Sequence, residues 1–363
     1  MWKQISLILC ILMIFSGCGS SSKATSSILE TKYQSIREQK NTTNKAETNT
    51  DETDKEKTEK PVEAKSDEPL KIGFCQVGAE SGWREAHTNS MKEMFTVENG
   101  YNLQYVDGNG DQNVQIQAIK DFIKNKVSAI VLAPVVETGW DEVLKEAKAA
   151  KIPVIIVDRM IKTSDESLYA CWVGSNFKTE GTNAIDWLIS YMDKKGTGSA
   201  NHKVVMLQGT MGASAEIGRT EGVREGLSKH SNYELIFEKS GDFTKDGGKK
   251  VMTEFLATNK EFDVLISQND DMTFGAIEAM KAAGINPGKD VTVVSFDGGK
   301  NAFQCMVNGE INGEIECNPL QGPFVSELIQ KILANENVDK IQYMYESVYD
   351  ESVAAQEIGN RAY

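Results

Sequence analysis

Three regions of the chain bring together side chains suited to gripping a ligand rich in oxygen. The first is Gly78-Ala79-Glu80-Ser81-Gly82-Trp83-Arg84. Its glycines permit a tight backbone, Trp83 offers a flat apolar plate, and Glu80 and Arg84 supply an acceptor and a donor. The second is Asp158-Arg159, which closes the run IPVIIVDR. Arginine carries a planar fork of five donors and no acceptor, a poor helix cap but a good clamp for oxygens. The third is scattered: Arg219 within QGTMGASAEIGRTEG, Asn269 after FDVLISQ, and Asp297 after VTVVSF. A sugar suits such a set, because its C–H face stacks on an aromatic ring while its hydroxyls donate to carboxylates and accept from guanidiniums.

Plainer readings stand beside this one. Asn269, Asp297 or Asp158 after a strand can simply cap the next helix. Trp83 can be core, Glu80 and Arg84 a surface i,i+4 pair, and Arg219 a solvated helix residue. One of Asp270 and Asp271 is expected to cap the helix that follows them, which leaves their likeness to a metal-ligand pair superficial. Catalytic signals are thin. His87, His202 and His230 are scattered, and no nucleophile elbow, HExxH, P-loop or dinucleotide fingerprint occurs. The chain reads as a binding protein without cofactor or metal.

The elements that must position these residues are legible. Val154 to Val157 are apolar on both faces, as in a strand covered on both sides within a parallel sheet. SAIVLAP, FDVLISQND and VTVVSFDGG repeat the pattern. Each delivers polar residues at its carboxyl end, where open α/β sheets bind ligands. Strands and helical stripes alternate from Leu70 onward, so the winding is βαβ, and a second half repeats the first. The helix beginning in ESGWREAH is expected to close at Gly100, and YMYESVYD (343–350) to form one extended segment. The reading is α/β: two doubly wound parallel-sheet lobes, their rims facing across a cleft that closes on a hinge.

The 363 residues suffice for two domains. With 39 basic against 53 acidic side chains, the net charge of −14 disfavours nucleic acid. Residues 1–18 have the form of an export signal, with an apolar run from Ile5 to Phe15 followed by Ser16-Gly17-Cys18. Residues 19–69 hold hardly an apolar side chain near their end and read as an acidic, disordered tether. Cys75, Cys171, Cys305 and Cys317 are far apart, form no zinc pattern, and leave disulfide pairing open.

The stretches GFCQVGAESGWREAHTN, IPVIIVDR, LQGTMGASAEIGRTEG, SGDFTKDGGKKVM, SQNDDM and FDGGKNAF resemble the type I periplasmic sugar-binding proteins, above all their galactofuranose-binding subgroup. The resemblance covers residues 70–335. It implies two lobes joined by three hinge crossings, near Val173–Asn176, Cys317–Asn318 and Glu346–Tyr349. The lobes would comprise residues 70–174 plus 318–346, and 175–317 plus 347–363. It implies a monosaccharide bound by Glu80, Ser81, Gly82, Trp83, Arg84, Asp158, Arg159, Arg219, Asn269 and Asp297. Arg84, Arg159 and Arg219 would donate, Glu80, Asp158 and Asp297 accept, Asn269 do either, and Trp83 stack. Ribose-binding relatives have a Gln near the hinge where this chain has Cys317. The Cys18 motif resembles a bacterial lipobox, with Phe15 where Leu is usual, and implies a monomeric, membrane-anchored, extracytoplasmic lipoprotein. Its partners would be an ABC permease with ATPase subunits. Two alternatives stand beside transport: a sensor of another pentose or hexose, docking on a chemoreceptor or histidine kinase, and a sugar-processing enzyme.

Overall fold

The computed structural model describes residues 68–258 and 261–363. The signal with Cys18 and the tether up to residue 67 lie outside the described residues. Two six-stranded sheets organise the rest. The first holds β1 (Leu70–Gln76), β2 (Tyr101–Asp107), β3 (Ala129–Leu132), β4 (Val154–Val157), β5 (Cys171–Gly174) and β11 (Ile341–Tyr343), in the order β11-β5-β4-β3-β1-β2. The second holds β6 (His202–Gln208), β7 (Tyr233–Ser240), β8 (Val264–Ser267), β9 (Thr292–Asp297), β10 (Gly313–Glu316) and β12 (Val348–Asp350), in the order β12-β10-β9-β8-β6-β7. The first sheet is parallel throughout; in the second, β12 alone runs antiparallel to its neighbour. The two α/β lobes anticipated from the strand pattern are therefore present.

Every residue of β3, β4 and β8 is buried, as runs apolar on both faces require. In the first lobe α1 (Gly82–Met94), α2 (Gln112–Lys124) and α3 (Asp141–Ala149) connect the strands. In the second the connections are α4 (Phe177–Lys194), α5 (Ser214–Leu227), α6 (Lys245–Leu256), α7 (Asp270–Ala282) and α8 (Lys300–Val307). The chain passes between sheets after β5, returns after β10 into α9 (Gly322–Leu333), and passes again between β11 and β12, before α10 (Glu351–Glu357). Val325, Leu328 and Ile329 of α9 join the core of the first lobe with Phe74, Met91 and Val131.

Two expected segments differ. The first helix ends at Met94, where the Phe95 N–H bonds back to Met91. Residues 95–100 form a turn, and Gly100, at φ +85°, serves that turn instead of capping the helix. YMYESVYD divides, because its two ends pair with edge strands of different sheets and Met344–Ser347 bridges them.

Helices α4 and α5 pack backbone to backbone. A Cβ built on Gly222 would lie 2.2 Å from the Lys178 carbonyl oxygen, and one on Gly181 would lie 2.5 Å from that of Arg219. Both are closer than atoms can sit, so the two glycines set the helix separation, and with it the meeting of Glu180 and Arg219. Gly222→Ala should therefore cost about 1–3 kcal/mol through overpacking. The denaturation midpoint reads this directly; an unchanged midpoint would mean that the helices part without cost.

Candidate functional site

The strand ends of the first lobe converge on one ionic lattice. Ser81 caps α1, its Oγ accepting the Arg84 N–H at 3.1 Å. That start sends Arg84 back over the sheet, where its guanidinium meets Asp158 at 2.6 Å and Glu80 at 3.1 Å. Arg159 reaches the same Glu80 oxygen at 2.6 Å and donates to the Val135 carbonyl at 3.2 Å. Glu80 and Arg84 are thus an i,i+4 pair, but a buried one, with side chains 17% and 4% exposed. Asp158 caps nothing; it turns out of β4 at φ +59° into the ion pair.

The second lobe contributes its own group. Glu180 on α4 takes the Arg219 Nε–H at 2.6 Å, and Arg219 also faces Asp297 at 3.7 Å. Arg219, expected as a solvated residue on the residues alone, is 2% exposed. Asn269 is the cap of α7: its Oδ1 accepts the Met272 N–H and its Nδ2 donates to the Phe243 carbonyl. Neither Asp270 nor Asp271 caps that helix, because Asn269 already occupies the position.

The two rims face each other across a cleft lined by Glu80, Ser81, Trp83, Arg84, Asp158, Arg159, Arg219, Asn269 and Asp297. Gly82 is not among its walls; its N–H crosses the cleft to Asp271 at 2.8 Å. The Trp83 Nε1–H likewise crosses to the Cys317 carbonyl at 2.6 Å, and the Met160 N–H to Ser214 Oγ at 2.7 Å. The lobes are closed on one another. Trp83 has His87 stacked at 5.2 Å and is buried.

Three lining residues escaped the reading of the chain, Phe177, Ala215 and Phe243, while Cys317 was noted only for its place near the hinge. Phe177 opens α4, and Cys317 lies on the second crossing. Phe243 follows Asp242 in a left-handed pair, at φ +59° and +56°. Aromatic residues rarely adopt this conformation, and such strain gathers at binding sites. The Arg159 guanidinium sits 5.5 Å from the Phe243 ring centre. The motif SGDFTKDGG held the only sequence signal for it. Among the described residues, Cys75, Cys171, Cys305 and Cys317 are free thiols.

The rims differ in charge. Burial raises the carboxyls of Glu80 and Asp158, yet the guanidiniums of Arg84 and Arg159 outweigh it and hold both below their ordinary values. In the second lobe burial wins. Asp297 and Glu180 are raised despite Arg219, and Asp270 is pushed up to about 7. Burial pushes His87 down to about 4, so it stays neutral. The first rim offers fixed acceptors, whereas the acids of the second can hold protons and donate.

Asp270 adjoins this second rim, accepting from Ser295 Oγ at 2.7 Å and from the Gly299 N–H at 2.9 Å. Glu314 lies in hydrogen-bonding contact with it, and both are raised chiefly by burial. A raised carboxyl binds its proton more tightly when folded, so its contribution is complete below the unfolded value and is lost as pH climbs through the folded one. The protein should lose stability between about pH 4 and pH 7, from the ordinary to the raised value of Asp270. Glu314→Gln, which supplies a permanent N–H to Asp270, should flatten that slope. Melting temperatures across this range check it, and an unaltered slope would remove the pair as its source.

A family model described as the periplasmic binding protein domain matches residues 72–323. The galactofuranose-binding protein YtfQ of Escherichia coli (strain K12) is 42% identical over 264 residues, covering 72% of this chain and 81% of that protein. A crystal structure from Mycobacterium smegmatis in complex with β-D-fucofuranose superposes with a TM-score of 0.77 at 42% identity, covering 80% of this chain and 94% of the other. The binding component of the arabinose ABC transporter from Shewanella sp. ANA-3, bound to α- and β-L-arabinofuranose, gives 0.76 at 39%, covering 80% and 95%. By fold and by these likenesses the chain belongs to the periplasmic binding protein domain family, homologous to the sugar-binding proteins of ABC transporters, and is a substrate-binding protein and not an enzyme.

Proposed function

We propose that this chain captures a neutral monosaccharide in its furanose form, galactofuranose or a near relative, and delivers it to an ABC permease with its ATPase subunits. Three relatives are named for monosaccharides, galactofuranose, fructose and ribose, the last two for import. The furanose is the finer step, supported by the sugars named for the protein from Escherichia coli and for the structures from Mycobacterium smegmatis and Shewanella.

The observation that carries the reading is the matching of charges around the cleft. Arg84, Arg159 and Arg219 each already face a carboxylate, so an anionic sugar would meet no uncompensated cation. A neutral polyol can instead slot its hydroxyls between donors and acceptors that are held in place. Arg159 Nε is buried and has no hydrogen-bond partner, a donor ready for a ring or hydroxyl oxygen. Arg84 and Arg219 donate beside it, Glu80 and Asp158 accept, Asp297 accepts or, when protonated, donates, and Trp83, Phe177 and Phe243 pack the carbon faces. In this reading Asn269 serves chiefly to hold Phe243, since both ends of its amide are engaged. Ser81 and Gly82 shape the start of α1. Acylation of Cys18 anchors the monomer to the membrane.

Calorimetry on the purified chain tests the sugar with methyl galactofuranoside, galactose, arabinose, ribose, glucose and xylose. The locked furanoside is expected to bind, and Arg159→Lys to weaken it by about 10- to 150-fold, the worth of a hydrogen bond to a charged group. Binding of glucose or xylose with the locked furanoside inert would overturn the furanose assignment. The anchor is tested by fractionation: Cys18→Ala should move the protein from the membrane to the soluble fraction, and retention at the membrane would rule out acylation there.

A further inference from the structure

At the base of the cleft, the three crossings between lobes bring together three further side chains, of which Cys317 also lines the cleft. Glu180 lies on α4 just after the first crossing, Cys317 on the second, and Glu346 on the third. One carboxylate oxygen from each glutamate and the Cys317 Sγ lie within 4.8 Å of one another. Glu180 and Cys317 are buried, at 3% and 2% exposure. Ser175 sits among them, its Oγ 3.3 Å from Cys317 Sγ and donating to Glu346 Oε1, which also accepts the Asn318 N–H at 2.9 Å.

The accounting of partners is incomplete at one atom. Glu180 gives Oε2 to Arg219, while its Oε1 is buried with no hydrogen-bond partner. A buried acceptor left unsatisfied costs about 1–3 kcal/mol, more for a charged group. Two carboxyls and a thiol around one such oxygen, with Arg219 as the guanidinium in contact, form a pocket short of positive charge.

We propose that Glu180, Cys317 and Glu346 form a binding site for one divalent cation of the zinc class, which ties the three crossings of the hinge together. A thiolate with carboxylates selects a borderline ion over magnesium or calcium. Tetrahedral zinc, with bonds of about 2.0–2.3 Å, spans ligand atoms roughly 3.5 Å apart, so a contraction of about 1 Å completes the site. Three protein ligands leave the fourth position for water. On binding, the Cys317 S–H bond breaks, its proton and any held by the two glutamate carboxyls leave to solvent, and the freed electron pairs of sulfur and oxygen form the bonds to the metal. Because the metal displaces these protons, the affinity rises with pH. The site shares Cys317 with the wall of the cleft, but sugar capture as proposed needs no metal, so failure of the site would leave that reading untouched.

Titration of the purified chain with Cd²⁺ alone, following the ultraviolet charge-transfer band of the metal–thiolate bond, provides the test. One equivalent should saturate the band, Zn²⁺ should displace it, and Glu346→Gln should weaken binding at least tenfold. Cys317→Ser should abolish the band, while Cys305→Ser, which removes a thiol elsewhere, leaves it intact. Circular dichroism confirms that the variants are folded. No saturable band in the wild type, or a band that survives Cys317→Ser, would overturn the proposal.

Discussion

A charge taken out of water has to meet its opposite, and this requirement governs the cleft. Arg84, Asp158, Glu80 and Arg159 form a chain of alternating sign, with the three side chains of Arg84, Asp158 and Arg159 each 4% exposed or less. Removing one partner of such a pair strands the other at several kcal/mol. The lattice therefore holds its shape without a ligand. It dictates that β4 end in a left-handed Asp158, that α1 begin at Ser81 with Arg84 on its inner face, and that Glu80 serve two guanidiniums at once. A ligand of the proposed kind would meet donors and acceptors already oriented, with less ordering entropy lost on binding.

The opposite rim obeys the same rule with a different balance. Arg219 is its guanidinium, faced by Glu180 and Asp297, with Asp270 and Glu314 buried behind. Too few cations are present for all these acids to ionise, so burial raises them. The Glu180–Arg219 pair exists because α4 and α5 approach at Gly181 and Gly222, where a single methyl on either would meet backbone. Packing of two glycines thus fixes an electrostatic feature of the cleft.

Closure rests on contacts of modest strength. Trp83 to Cys317, Gly82 to Asp271 and Met160 to Ser214 are single hydrogen bonds, each worth about 1 kcal/mol net. Such a set can hold two lobes together and still let them part, as release of a captured ligand requires. Two of the three involve main-chain N–H groups, so closure depends on where the segments after β1 and β4 end and less on which side chains they carry.

Much of this was written locally in the chain. Apolar runs such as Val154–Val157 could only be strands covered on both faces, and their alternation with amphipathic stretches determined the two wound sheets. Asp158 and Arg159 stood out because an Arg beside an Asp at a strand end is a poor cap, whereas Glu80 and Arg84 read equally well as a surface pair. Tertiary structure decided what local pattern leaves open. Glu80 and Arg84 have a surface pair's spacing, and only the packing of α1 against Asp158 buries them. Asn269 could cap or bind, and its two engaged amide atoms make it a cap. Phe177, Phe243 and Cys317 reach the cleft from segments far apart in the chain. The segment YMYESVYD divides because two sheets compete for its ends. Hydrophobic periodicity reports which face of an element is covered, since burial acts residue by residue along a helix or strand. Which charges meet across a cleft depends on how whole elements pack, and no stretch of sequence carries that alone.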